Sequence, residues 1–245
     1  MIEEFERTQL VLGNGALEKL AKAHVAVFGI GGVGGYVVEG LARAGIGALD
    51  LIDHDSVSLS NINRQIIALH STVGQPKVEV AKQRIADIHQ QCRVSAHQCF
   101  YLPQTAAQFD FKAYDYVVDA VDTVSAKLAL IERAKADNTP IISCMGTGNH
   151  LDPTAFCVAD IFNTTGDPLA RVMRKELKKR GIEALKVVYS KELAQRPDAA
   201  LLQQVMEKEA AQGSAKRDIP GSVSFVPSVA GLIIAGEVVK DLLNK

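Results

Sequence analysis

The chain has no C-x-x-C pair: Cys92, Cys99, Cys144 and Cys157 stand singly. That spacing excludes a structural zinc site built from paired knuckles. No signal-like segment opens the sequence, so the cysteines read as reduced thiols of a cytoplasmic protein. Net charge is nearly absent too, with 27 Lys+Arg against 28 Asp+Glu, or −1. Any RNA contact therefore has to come from a local basic patch. No internal repeat is visible, and no long apolar run passes without breakers. The nearest, residues 219–236, carries no charge but is interrupted by Pro220, Gly221 and Pro227. It reads as a short strand over 223–226, a turn, and a core helix from Ser228 that continues through Glu237, Lys240 and Asp241. No stable membrane span is expected, and peripheral membrane contact is the alternative to a core helix.

What is present suffices for one large core, since 47% of 245 residues are hydrophobic. The centre of the pattern is V-A-V-F-G-I-G-G-V-G at 25–34. Four apolar residues suit a central parallel strand, covered on both faces. Gly29, Gly31 and Gly34 then form G-x-G-x-x-G before a helix-compatible stretch at 36–44. Such glycines allow a tight turn, approach of backbone to phosphate, and close helix–strand packing, so backbone N–H groups face an anion. A second strand, 49–53, ends on Asp53, 19 residues past Gly34. A carboxylate there can accept from a ribose hydroxyl. Together these features point to an adenine nucleotide and leave ATP and a dinucleotide both open.

The next stretch is densely polar: Asp55, Asn61, Asn63, Arg64 and Gln65. A triphosphate site needs such groups more than a simple redox domain does, because arginine offers a planar fork to phosphate oxygens. G-Q-P-K leads into a helix over 78–90, with Lys77 at its first turn. A cation there opposes the helix dipole unless an anion sits beside it; a solvated lysine is the alternative. Residues 92–102 can form a third strand, 114–119 reads as a fourth and 140–144 as a fifth. The fourth ends in D-A-V-D, with Asp119 and Asp122 at the carboxyl edge. These acids suit Mg²⁺, while Asp122 also suits the N-cap of a helix over 123–136. A loop follows at 145–154. Beyond Phe156 the pattern shifts: Asp160, Thr164, Thr165, Asp167 and Pro168 open a helical segment in which R-V-M-R-K-E-L-K-K-R at 171–180 sets six bases against one acid. That run is either a solvated face or a phosphate-docking surface. Residues 191–218 read as a mobile loop or frayed helix. Residues 1–24 read as a helical preface, in which Arg7 is taken as a solvated salt-bridging residue.

The order G-I-G-G-V-G, Asp53, S-N-I-N-R-Q, G-Q-P-K and D-A-V-D resembles the ubiquitin-activating-enzyme-like (ThiF/MoeB-like) adenylating superfamily. A closer likeness lies in I-S-C-M-G-T-G-N-H-L-D-P-T, D-P-L-A-R-V-M-R-K-E-L-K-K-R-G-I and G-S-V-S-F-V-P-S-V-A-G-L-I. These resemble the branch of that superfamily that dehydrates threonylcarbamoyl-adenosine beside the tRNA anticodon. The resemblance implies an α/β, Rossmann-like doubly wound, mostly parallel sheet with a helical preface and a C-terminal strand–helix extension. It implies one adenylating domain over 1–245, with an inserted basic segment at 155–218 and a closing strand and helix at 219–245.

It also implies ATP over Gly29, Gly31, Gly32 and Gly34, with its ribose on Asp53. Asn61, Arg64 and Lys77 would handle the phosphates, with Asp55 and Gln65 beside them, and Asp122 would hold Mg²⁺. Arg64, Lys77 and Asp122 would be the catalytic set, and Arg7 would reach the neighbouring site of a homodimer. The implied partner is tRNA. A structural monovalent cation (Na⁺ or K⁺) and a cysteine-desulfurase or other sulfur-acceptor protein are further candidates, and zinc is not expected. An activator of a ubiquitin-like sulfur carrier, an NAD-dependent oxidoreductase and a non-catalytic scaffold are the competing readings. The missing zinc knuckles weigh against the first of these.

Overall fold

The computed structural model describes residues 3–102, 105–211 and 219–244. After a short 3-10 turn, helices α1 (Glu6–Leu12) and α2 (Ala16–Lys22) form the expected preface. They are followed by β1 (His24–Phe28), α3 (Gly34–Ala44), β2 (Ala48–Ile52), α4 (Lys77–Ile88), β3 (Arg93–His97), β4 (Tyr116–Asp119), α5 (Val124–Ala136) and β5 (Ile141–Cys144). The remainder comprises β6 (Phe156–Asp160), α6 (Pro168–Lys179), β7 (Lys186–Ser190), α7 (Ala199–Ala211) and α8 (Phe225–Leu243).

The strands form one sheet in the order β3-β2-β1-β4-β5-β7-β6, parallel except where β6 pairs antiparallel with β7. Successive side chains of a strand point to opposite faces, and each face has its own core. Val25, Val27, Leu49, Leu51 and Val118 pack with Val37, Leu41, Ile85 and Ile234, the side of α3, α4 and α8. Ala26, Phe28, Val117 and Val187 pack with Leu130, Ile131 and Met173, the side of α5 and α6. Because the chain runs outward from β1 through β2 to β3 and then returns to β4, a crevice is expected between the carboxyl ends of β1 and β4.

Several expectations are corrected. Of the residues expected to open the basic helix, Asp160 instead ends β6 and caps a 3-10 turn at Ile161–Asn163, whereas Asp167 and Pro168 do open it, as N-cap and first residue of α6. β7 has no counterpart in the sequence reading; its K-V-V-Y-S is recruited into the sheet by pairing with β5 on one side and β6 on the other. The strand expected over 223–226 does not form, because α8 already starts at Phe225. Pro227 sits in its first turn, where an N–H has no intrahelical acceptor and proline is tolerated. α8 lies hard on α3: a Cβ at Gly231 would stand 2.4 Å from the Val33 carbonyl oxygen. In the stretch expected as a mobile loop or frayed helix, residues 191–198 carry no helix and α7 follows over Ala199–Ala211. Residues 212–218 of that stretch, 1–2 of the preface and 245 lie outside the described residues. Among the described residues no helix is long and apolar enough to cross a membrane.

Candidate active site

A cavity of about 870 Å³ opens at the carboxyl edge of β1, β2, β4 and β5, a size typical of small-molecule sites. Its glycine wall is the expected turn. Gly29 has φ +90° and lies against Ala120, and a Cβ on Gly34 would fall 1.7 Å from the Gly29 carbonyl oxygen. Gly34 thus shapes the loop from behind, whereas Gly29, Gly31 and Gly32 line the cavity. Asp53 also lines it, and its carboxylate is already engaged: Ile30 N–H donates to Oδ2 (2.7 Å) and Asp55 N–H to Oδ1 (2.8 Å). It therefore ties the glycine loop to the end of β2. A carboxylate has about four acceptor positions, so capacity for a hydroxyl remains.

The cations differ in their pairing. Lys77 is 5% exposed and its Nζ lies 2.7 Å from Asp55 Oδ2. An anion does sit beside the first turn of α4, but it is a carboxylate of this chain. Asp55 Oδ1 also meets His54 Nε2 at 2.9 Å, and the His54 ring stacks on Phe100 at the cavity wall. Arg64 has no carboxylate within ion-pair distance among the described residues. Its Nη1 donates to the Ser60 carbonyl (3.0 Å) and to Asn63 Oδ1 (2.9 Å), and burial lowers its pKa from the ordinary value. Asn61 Oδ1 accepts from Ser58 N–H (3.0 Å). Gln65 is 6% exposed, and its Oε1 is buried with no partner among the described residues. Arg64, Asn61, Gln65 and Lys77 all line the cavity.

Asp122 is exposed at the cavity and accepts from Thr123 Oγ1 at 3.1 Å. It is not the cap of α5, a position that Thr123 holds. Asp119 is removed from the pair of carboxylates expected to hold a metal. It is fully buried, taking Lys127 Nζ (3.1 Å) and Ser143 Oγ (2.5 Å) on Oδ2 and Val121 N–H (3.2 Å) on Oδ1. Arg7 is exposed on α1 and does not line this cavity. Cys144 is packed, with its thiol pushed up to about 12 by burial, and Cys157 Sγ contacts the Tyr189 carbonyl at 3.8 Å. A buried thiol with so high a pKa, as at Cys144, is not a ready nucleophile.

The basic run is less uniform than its composition. Arg174 turns inward to the Thr164 carbonyl (2.9 Å), while Lys179 and Arg180 pair with Glu176. Arg171, Lys175 and Lys178 remain exposed, without an ion pair among the described residues.

Two polar residues escaped the sequence reading. Lys127 is 1% exposed, bonding Asp119, Ser143 Oγ (3.3 Å) and the Cys144 carbonyl (2.7 Å). A signal existed, since Lys127, Ile131 and Ala134 share one helical stripe with the core. His150 is 5% exposed and lines the cavity, with Nδ1 unpartnered among the described residues. Nothing in its loop sequence marks it.

The chain is similar to a Bacillus subtilis (strain 168) protein named tRNA threonylcarbamoyladenosine dehydratase, 44% identical over 249 residues, or 100% of this chain and 96% of that protein. An Escherichia coli (strain K12) protein of the same name is 36% identical over 254 residues, covering 99% and 94%. The solved structure of the E. coli tRNA N6-threonylcarbamoyladenosine dehydratase in complex with AMP matches with a TM-score of 0.87 at 35% identity, over 99% of this chain and 94% of that one. Its complex with ATP matches with a TM-score of 0.86. Residues 5–245 match the ThiF family, and the chain belongs to that family.

Proposed function

We propose that this chain is an ATP-dependent tRNA-modifying enzyme that dehydrates N6-threonylcarbamoyladenosine next to the anticodon. The supporting observation is a cavity that gathers the glycine loop, Asp53, Arg64, Lys77 and Asp122 in a chain matching dehydratases over nearly its whole length. The threonyl carboxylate oxygen attacks the α-phosphorus of ATP, and pyrophosphate leaves with the electrons of the broken P–O bond. A ureido heteroatom then attacks the acyl carbon, the C–O bond to AMP breaks, one ureido N–H proton is lost, and the net change is removal of one water. No enzyme nucleophile is required, in keeping with the burial of Cys144. The chain's contribution is positioning and cationic stabilisation of the phosphates. Arg64 supplies an uncompensated fork, and Lys77, held by Asp55, a fixed charge.

Asp122 fits Mg²⁺: it is an exposed hard-oxygen donor at the cavity, and this ion takes one or two carboxylates together with substrate phosphates. Bound there, the ion would neutralise phosphate charge. The test of the reaction is mass analysis of tRNA nucleosides after incubation with ATP and Mg²⁺. Loss of one water from the modified adenosine supports it. Saturation by NAD in preference to ATP, or no water loss, overturns it.

The homodimer belongs to the same proposal, with Arg7 acting across the interface. Mixed with subunit exchange verified, inactive Arg7→Ala and inactive Asp122→Ala subunits are expected to recover activity, because each heterodimer rebuilds one intact site. No recovery would confine Arg7 to its own surface.

The exposed bases of α6 form the proposed RNA surface. Changing Arg171, Lys175 and Lys178 to Gln is expected to leave ATP affinity unchanged and to weaken tRNA binding. The salt slope should become shallower by about 0.7–0.9 log units for each phosphate that the variant no longer neutralises. An unchanged slope would make α6 a solvated face.

A further inference from the structure

The cavity extends beyond the nucleotide motifs. The glycine loop, Asp53 and Asp122 follow β1, β2 and β4, whereas residues 145–150 leave β5, and Asp167, Leu169 and Ala194 flank the β6–β7 pair. At about 4.8 Å per strand, β5 stands roughly 10 Å from β1 and β7 roughly 14 Å. None of this second group belongs to a nucleotide motif, yet it lines the same space.

Within that group His150 is the buried side chain left with an open valence: it is 5% exposed, and its Nδ1 has no partner among the described residues. The loop carrying it is fixed on both sides. Before it, Asn149 adopts φ +60°, donates its N–H to the Gly221 carbonyl (2.8 Å) and accepts the Gly221 N–H on Oδ1 (2.7 Å). Its own carbonyl accepts from Gln195 N–H at 2.6 Å. After it, Leu151 and Asp152 donate their N–H groups to the Glu192 carboxylate at 3.0 and 2.9 Å. Those backbone bonds, led by the one from Asp152, hold the Glu192 carboxyl below its usual range. The loop thus holds at the cavity wall an imidazole with one buried nitrogen left unpartnered among the described residues, an arrangement that is unfavourable until an arriving group completes it. The lining of this part of the cavity mixes apolar Met145, Leu169 and Pro220 with polar Thr147, Asn149 and Asp167. Convergent polar groups set among apolar ones are how small-molecule sites fix orientation.

Resting on the function proposed above, we infer that His150 hydrogen-bonds the carboxylate–ureido end of the modified adenosine and is a contact residue for the RNA substrate, not for ATP. That end offers both acceptors and N–H donors, and imidazole can serve either.

The test compares His150→Leu, which keeps bulk and removes the polar atoms, with His150→Gln, which restores a hydrogen-bonding group. The readouts are kcat/KM for tRNA bearing the modified adenosine at saturating ATP and Mg²⁺, ATP affinity by titration, and Tm. The leucine variant is expected to lose about 10- to 100-fold in kcat/KM for tRNA, mainly through KM, with ATP affinity and Tm retained. The glutamine variant is expected to regain most of it. An active leucine variant with unchanged kcat/KM overturns the inference, as does a parallel loss of ATP affinity, or a glutamine variant no better than leucine at equal Tm. Failure of the wild-type protein to remove water would instead overturn the proposed reaction, and with it the substrate assigned to His150.

Discussion

Arg64→Ala is expected to lower turnover by on the order of 10²-fold or more while ATP affinity falls far less. The reasoning starts from charge compensation. Lys77 has its carboxylate within the chain, so part of its charge is already spent on Asp55. Among the described residues Arg64 is held by neutral oxygens, the Ser60 carbonyl and Asn63 Oδ1, and Asn63 is itself anchored by donating to the Ser222 carbonyl at 2.9 Å. A guanidinium oriented in advance, with no counter-charge among the described residues, is matched to phosphate charge that grows as the α–β bond opens. Because the arginine is already oriented, stabilising the transition state involves little rearrangement. Single-turnover rates and ATP titration check this. Equal losses in the two would make Arg64 a uniform binding residue and remove it from the catalytic set.

Gly34→Ala is expected to lose the fold of the loop and the nucleotide with it. The new methyl would lie 1.7 Å from the Gly29 carbonyl oxygen, backbone against backbone, with no side chain able to swing away. Overpacking of this kind costs about 3 kcal/mol or more, which for a chain of this size is a fall of about 6–12 °C in Tm. Gly31→Ala is the control. Its Cβ would meet nothing closer than Gln65 Nε2 at 3.9 Å, so the protein should fold with an unchanged Tm and lose ATP affinity, because the methyl occupies space proposed for phosphate. Calorimetry with and without ATP separates the two. A Gly31→Ala protein that binds ATP normally would move the phosphates elsewhere.

The half of the fold around the glycine loop was legible because its signals are local: a four-residue apolar strand, glycines, a helix, an acid, in chain order. The β6–β7 pair was not. β6 is a part-exposed edge strand, and β7 owes its burial to partners far off in sequence, while the basic run between them dominates any local reading. Site residues followed the same division. Asp53, Arg64, Lys77 and Asp122 were found by motif and do line the cavity. Their partners were not found, because pairing crosses elements: the Asp55 carboxylate that holds Lys77, or the buried Lys127 that withdraws Asp119 from any metal role. His150 was invisible for a related reason, since an open valence is a property of surroundings and not of a residue type.

The close seat of α8 on α3 has a consequence for how the protein comes into being. Gly231 lets α8 approach the backbone of Val33, at the N-terminal end of α3, and the segment just before α8 carries Ser222 and Gly221, which hold Asn63 and Asn149. On a ribosome adding about 5–20 residues per second, α8 emerges about 10–40 s after the glycine loop it braces. During that interval the nascent chain carries the proposed phosphate-binding motifs and lacks the helix packed against them. The proposed ATP capture is therefore expected late in biosynthesis, since closure of the site waits on a long-range contact of the slow, non-local kind.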